Sequence, residues 1–177
     1  MIFRNTQNHF GMITILLHWL MAILLIGLLA LGIYMVYLPI SLQKLKMYGW
    51  HKEYGLLALA LAMVRIVWRW INLNPQLSLP LLEKFAARSV HYAFYLFMFA
   101  MPITGWLITS AAGLPASFFG LFVLPSLVSP NEEWLILFQV IHKWVGYLFI
   151  VTIILHASAA LKHHFINKDD ILKRMIS

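Results

Sequence analysis

Four stretches of this chain are long and apolar enough to cross a lipid bilayer, and no other feature restricts its fold so severely. They run over about 12–38, 49–70, 90–110 and 134–161, and a helix needs about 20 apolar residues to traverse the hydrocarbon core. In lipid the backbone must satisfy its own hydrogen bonds, and a single run of this length does so only as a helix. Of the 177 residues, 62% are hydrophobic and 11% charged, a membrane composition. The sequence therefore predicts an all-α integral membrane protein: a four-helix bundle in the lipid bilayer, forming a single domain over 1–177. The first stretch is too long for the apolar part of a cleaved signal peptide and no small-residue cleavage site follows it, so it reads as a retained helix.

A fifth apolar run, FFGLFVLPSLV at 118–128, has about half the spanning length, and Pro115, Pro125 and Pro130 punctuate it. The segment 111–133 is expected to be a loop packed on the bundle end or lying in the interface. Positive charges in short loops stay cytoplasmic. With the N-terminus inside, the inner side collects Arg4, Arg65, Arg69, Lys84, Arg88, Lys162, Lys168, Lys173 and Arg174, and the outer side keeps Lys44, Lys46, Lys52 and Lys143. Both termini are thus expected to be cytoplasmic. Topology accounts for most of the net charge of +7, which gives no reason to invoke nucleic acid.

The chain has no cysteine. Disulfides, thiolate iron–sulfur clusters and covalent haem attachment are all excluded, so a redox cofactor would have to be held by histidine. Five of the eight histidines, His18, His51, His91, His142 and His156, lie within or at the ends of the spans. Ionisable groups are rare there and suggest function, although an imidazole can also simply hydrogen-bond a neighbouring helix.

His142 and His156 stand fourteen residues apart in the fourth span. At 3.6 residues per turn they share a face, about 21 Å apart along the axis. His51 enters its span from the outer side, as His142 does, and His18 lies at about the depth of His156. Two pairs follow, His51 with His142 and His18 with His156. Facing imidazoles across a bundle are the natural axial ligands of a b-type haem, so two haem b groups are expected. Zinc is the rival, but a closed zinc site wants four ligands, and neither pair has a buried cysteine or acid beside it.

HKEYG at 51–55 and HKWVG at 142–146 repeat one pattern. Gly55 and Gly146 each lie one turn beyond an outer histidine, where a missing side chain would let a porphyrin approach the backbone. Ordinary small-residue helix packing is the competing account. Arg65 lies fourteen residues after His51 and Arg69 one turn later. A guanidinium at that depth suits a haem propionate, with snorkelling to the headgroups as the alternative, above all for Arg69.

LLHWL at 16–20, GWHKEYG at 49–55 with VRIVWR after it, HYAFYLFMFAMPITGW at 91–106 and LHASAALKHHFINKDDILKRM at 155–175 resemble the bacterial four-helix di-haem cytochromes b561. That family includes the superoxide oxidase of the inner membrane, and the likeness covers essentially the whole chain. It implies axial ligation by His18 with His156 at the inner haem iron and by His51 with His142 at the outer one. It also implies a chemistry in which superoxide gives an electron at the outer haem and ubiquinone accepts it beyond the inner haem. Other members have only a general electron-transfer role.

Lys52 and Lys143 follow the outer histidines directly. They could focus superoxide on the outer site, pair with propionates or sit at the interface, and Glu53, Glu132 and Glu133 would weaken any focusing. His91 and His163 are the candidates for a quinone site that needs protons as well as electrons, with Arg88 and His164 behind them. Two other functions stand beside superoxide oxidation: a quinol-linked carrier serving a periplasmic redox partner, and a haem-free membrane anchor.

Overall fold

The computed structural model describes residues 3–7, 9–73, 75 and 80–176. Four helices carry the chain: α1 (Met12–Tyr37), α2 (Leu42–Ile71), α3 (Leu81–Ala111) and α4 (Glu132–Lys162). Each is long and apolar enough to cross a membrane, and the last continues as one π-helical turn, His163–Asn167. Their outward faces carry exposed Ile, Leu, Val, Trp and Tyr side chains, the surface that lipid demands and water penalises.

The helix ends follow local chemistry rather than hydropathy. The Ser41 hydroxyl accepts from the Lys44 N–H, so α2 starts seven residues before the apolar run does. Pro80 precedes α3, which begins nine residues early and carries Glu83 in its first turn. The Asn131 side chain accepts from Trp134 N–H at the head of α4, where Glu132 and Glu133 face the positive end of the helix dipole. Helix α3 ends where Gly113, at φ +70°, donates to the Ser110 carbonyl and Leu114 donates to that of Thr109, a Schellman closure.

Between α3 and α4 the segment expected as a loop contains an antiparallel hairpin, β1 (Ala116–Phe118) with β2 (Phe122–Leu124), in the register Ala116↔Leu124. Phe119 and Gly120 both take positive φ at its tip, where Leu121 N–H donates to the Phe118 carbonyl. Phe119 packs edge-on against Tyr54 of α2, and Trp106 Nε1 donates to the Pro125 carbonyl, which holds the hairpin over the end of the bundle that bears His51 and His142.

Close packing joins α1 to α2, α2 to α3 and, most extensively, α3 to α4. Neither α1 nor α2 packs its backbone closely against α4 among the described residues. Met21, Leu25, Ala58, Ala62, Met98 and Phe149 form the core. Phe149 lies seven residues from both His142 and His156, so this apolar plug separates two layers of histidine.

Candidate functional site

At the outer end, His51 of α2 faces His142 of α4 with ring centres 6.2 Å apart. The structure sets a glycine from a neighbouring helix against each ring. A Cβ on Gly32 of α1 would lie 3.2 Å from His51 Cε1, and one on Gly105 of α3 would lie 3.5 Å from His142 Cε1. Thr104 Oγ1 is 2.9 Å from His142 Nδ1. The Nδ1 atom of His51 is buried with no hydrogen-bond partner. Of the two glycines singled out by the HKxxG repeat, Gly146 is buried and stands against Met101, whose methyl would be 3.5 Å from an added Cβ. Gly55 borders open space. Lys52 is half-buried and Lys143 exposed, and neither forms an ion pair among the described residues.

At the inner end His18 of α1 faces His156 of α4, again with centres 6.2 Å apart. His91 of α3, a quinone-site candidate with His163, brings its ring centre to 6.1 Å from that of His156. Three imidazoles therefore share the inner layer, with Phe94 edge-on to His156 at 5.1 Å. Arg65 Nη2 lies 3.3 Å from His18 Nδ1, and the Arg69 guanidinium sits over the Tyr95 ring.

Spacing tests these pairs against an iron held between two imidazoles. Metal–nitrogen bonds of about 2 Å on both sides, with roughly 1.1 Å from nitrogen to ring centre, set the centres roughly 6 Å apart. Each pair meets that requirement. Packing then separates His18–His156 from His91–His156. His91 and His156 bridge α3 and α4, the most closely packed helices, which leave no slot for a flat macrocycle. His18–His156 and His51–His142 bridge helices whose backbones stay apart. Among the described residues no group of three or more His, Asp or Glu side chains converges on a metal position, so a closed zinc site has no ligand set here.

Below the inner layer, His163 is buried at the start of the π-helical turn. Its Nδ1 meets Asp169 Oδ2 at 2.6 Å, and its Nε2 lies 4.0 Å from Glu83 Oε2, which in turn belongs to the carboxylate paired with Lys162. Desolvation pushes the Asp169 carboxyl up. The hydrogen bonds from His163 and from Ile171 N–H outweigh it and hold the group below the ordinary carboxylate value. Arg88 is exposed, and His164 keeps its Nδ1 buried without a partner.

Comparison with known proteins places these pairs in a context. The family model described as prokaryotic cytochrome b561 matches residues 9–177. The chain is 38% identical to "Cytochrome b561 homolog 2" of Escherichia coli K12, an alignment covering 99% of this chain and 95% of that protein. It is 31% identical to "Cytochrome b561 homolog 1" of the same strain, covering 96% and 98%. It is 30% identical to "Probable superoxide oxidase CybB" of Yersinia pestis, covering 90% and 91%.

Proposed function

The chain belongs to the prokaryotic cytochrome b561 family, and on that footing we propose that it is a di-haem oxidoreductase passing electrons from superoxide at the periplasmic face to ubiquinone at the cytoplasmic side of the bacterial inner membrane. The family sets the broader frame: a multi-pass bacterial membrane protein of b-type haem electron transfer. The observation that carries the two-haem reading is the pairing itself, two imidazole pairs of iron-compatible spacing, each bridging helices that leave room between them.

In this reading His18 and His156 hold the inner iron, and His51 and His142 the outer one. Bound haem supplies one-electron transfer, and two histidine ligands leave its iron no open coordination position. If His18 bound iron through Nε2, its proton would move to Nδ1 and Arg65, now 3.3 Å from that atom, would be free to pair with a propionate, with Arg69 as the second cation at that depth. The open space at Gly55 would give the porphyrin clearance, whereas Gly146, buried against Met101 of α3, serves the close packing of α3 on α4. Lys52 and Lys143 carry unpaired positive charge at the outer rim and draw an anion there.

Two imidazoles serve the quinone. His91 is exposed beside the inner pair and within reach of a lipid-dissolved headgroup. His163 is oriented by Asp169 and lies below the inner pair, where quinone reduction requires a proton donor.

The superoxide assignment draws on the Yersinia relative's name. The two Escherichia relatives are named only as cytochrome b561 homologues, which fits a quinol-linked carrier with a periplasmic redox partner. A superoxide pulse on the oxidised, detergent-purified protein, followed by ubiquinone, decides between them. Rapid haem reduction and quinone-dependent reoxidation are expected, slowed by Lys52→Glu with Lys143→Glu and by added salt. Haems that superoxide leaves oxidised but quinol reduces establish the carrier, and a colourless protein removes both readings.

A further inference from the structure

The Thr104 hydroxyl has three neighbours: His142 Nδ1 at 2.9 Å, the Ala100 carbonyl at 2.7 Å and the Met101 carbonyl at 2.9 Å. A hydroxyl owns one proton, and carbonyl oxygens only accept. The Thr104 proton therefore goes to the backbone of α3, and its oxygen faces His142 as an acceptor. Nδ1 of His142 must then carry the ring proton, which leaves the lone pair on Nε2. Thr104 is itself buried, 9% exposed, and its neighbour Gly105 lets α3 approach the ring.

The partner ring differs. Nδ1 of His51 is buried and unbonded. It is held by shape alone, with the Gly32 backbone against its edge. At the inner end Arg65, which can only donate, faces His18 Nδ1 and so favours the opposite tautomer.

We propose that Thr104 is a positioning residue for the outer centre: it fixes His142 in the tautomer that presents Nε2 and makes His142 the stronger of the two outer ligands. The mechanism is that of other metal-bound histidines, in which an acceptor at the far nitrogen orients the ring and increases its donation to the metal. Stronger donation favours ferric iron, so Thr104 holds the outer potential down and helps an electron leave for the inner site. The inference rests on the His51–His142 pairing proposed above.

The test is a redox titration of purified holoprotein, the outer haem being identified as the one lost in His142→Ala. Thr104→Val keeps the shape and removes the hydroxyl acceptor, leaving the Met101 backbone carbonyl as the other acceptor that faces the His142 ring. It is expected to retain both haems and to shift the outer haem's equilibrium about tenfold toward the reduced form, with the inner haem unmoved and Thr104→Ser restoring the native value. An unchanged outer potential in a Val variant holding both haems overturns the proposal and reduces Thr104 to helix packing. If Val loses the outer haem, retention in Ser supports the hydroxyl's role, and loss in both overturns it. A native protein with fewer than two haems overturns the pairing itself, a result that the stoichiometry separates from the others.

Discussion

Around His51 and His142 the neighbours are glycine backbone, a threonine hydroxyl and apolar side chains; around His18 and His156 they are a guanidinium, a third imidazole and a phenylalanine edge. The ring spacing is the same in both layers, 6.2 Å. Equal spacing with unequal surroundings means that the two sites differ in their electrostatics more than in their spacing. Nearby positive charge favours the reduced state of a metal centre, and a hydrogen-bond acceptor behind a ligand favours the oxidised one. In the proposed two-haem reading the contrast would set an electron gradient from the outer layer toward the inner.

Removing a ligand is the most drastic way to break the comparison. His142→Ala is expected to lose the outer haem alone and His156→Ala the inner haem alone, read from haem-to-protein ratio and low-spin spectra. His91→Ala should keep both. Loss of the inner haem in His91→Ala together with its survival in His18→Ala would reassign the inner pair.

Crowding a ligand comes next. Gly32→Ala places a carbon 3.2 Å from His51 Cε1 and should weaken outer haem retention about tenfold, measured by haem loss to apomyoglobin. Gly27→Ala, whose added carbon meets nothing within 4 Å, is the matched control and should leave retention unchanged.

A charge change should act on one layer only. Arg65→Gln is expected to shift the inner haem roughly threefold to tenfold toward the oxidised form, with no change at the outer haem; an equal shift of both would erase the contrast in electrostatics.

The smallest effect belongs to the inner periphery. The Asp169 carboxyl is held below its ordinary value in the folded protein, so the stability it contributes is present above about pH 4 and is lost as pH falls through the lower folded value. Asp169→Asn should lower Tm by about 2 °C near neutral pH and flatten the acid limb of the Tm profile. A variant with an unchanged acid limb would assign that limb to other carboxylates.

Much of this was legible in the sequence because hydropathy and a fourteen-residue interval are properties of single segments. The spans and the face shared by His142 and His156 needed no partner to be seen. Helix starts were not legible from hydropathy, which marks the hydrocarbon core, while Ser41 and Pro80 extend α2 and α3 beyond it. Nor were Thr104, Gly105 and Gly32, since each acts on a ring from another helix. The one hint was a Thr-Gly pair just after Pro102 inside an otherwise apolar span. The hairpin escaped because its run of Phe, Leu and Val carries no alternation of polar and apolar residues to mark strands. His91 was named for the quinone because the two pairs left it unused, and its contact with His156 was not legible because it lies across two helices.

Among the described residues, the plug of Met21, Met98 and Phe149 between the layers is built of apolar side chains. On the proposed direction of flow, an electron crossing it would travel without an accompanying ion, so each turnover from the periplasmic side inward would displace net charge across the bilayer. With the cytoplasm negative, that displacement is opposed by up to about 2.3 kcal/mol per 100 mV for a full traversal. An energised membrane would thus hold the reaction back, and a depolarised one would let it run. In that reading the apolar core would make the protein a current source whose output is governed by the voltage of the membrane it sits in.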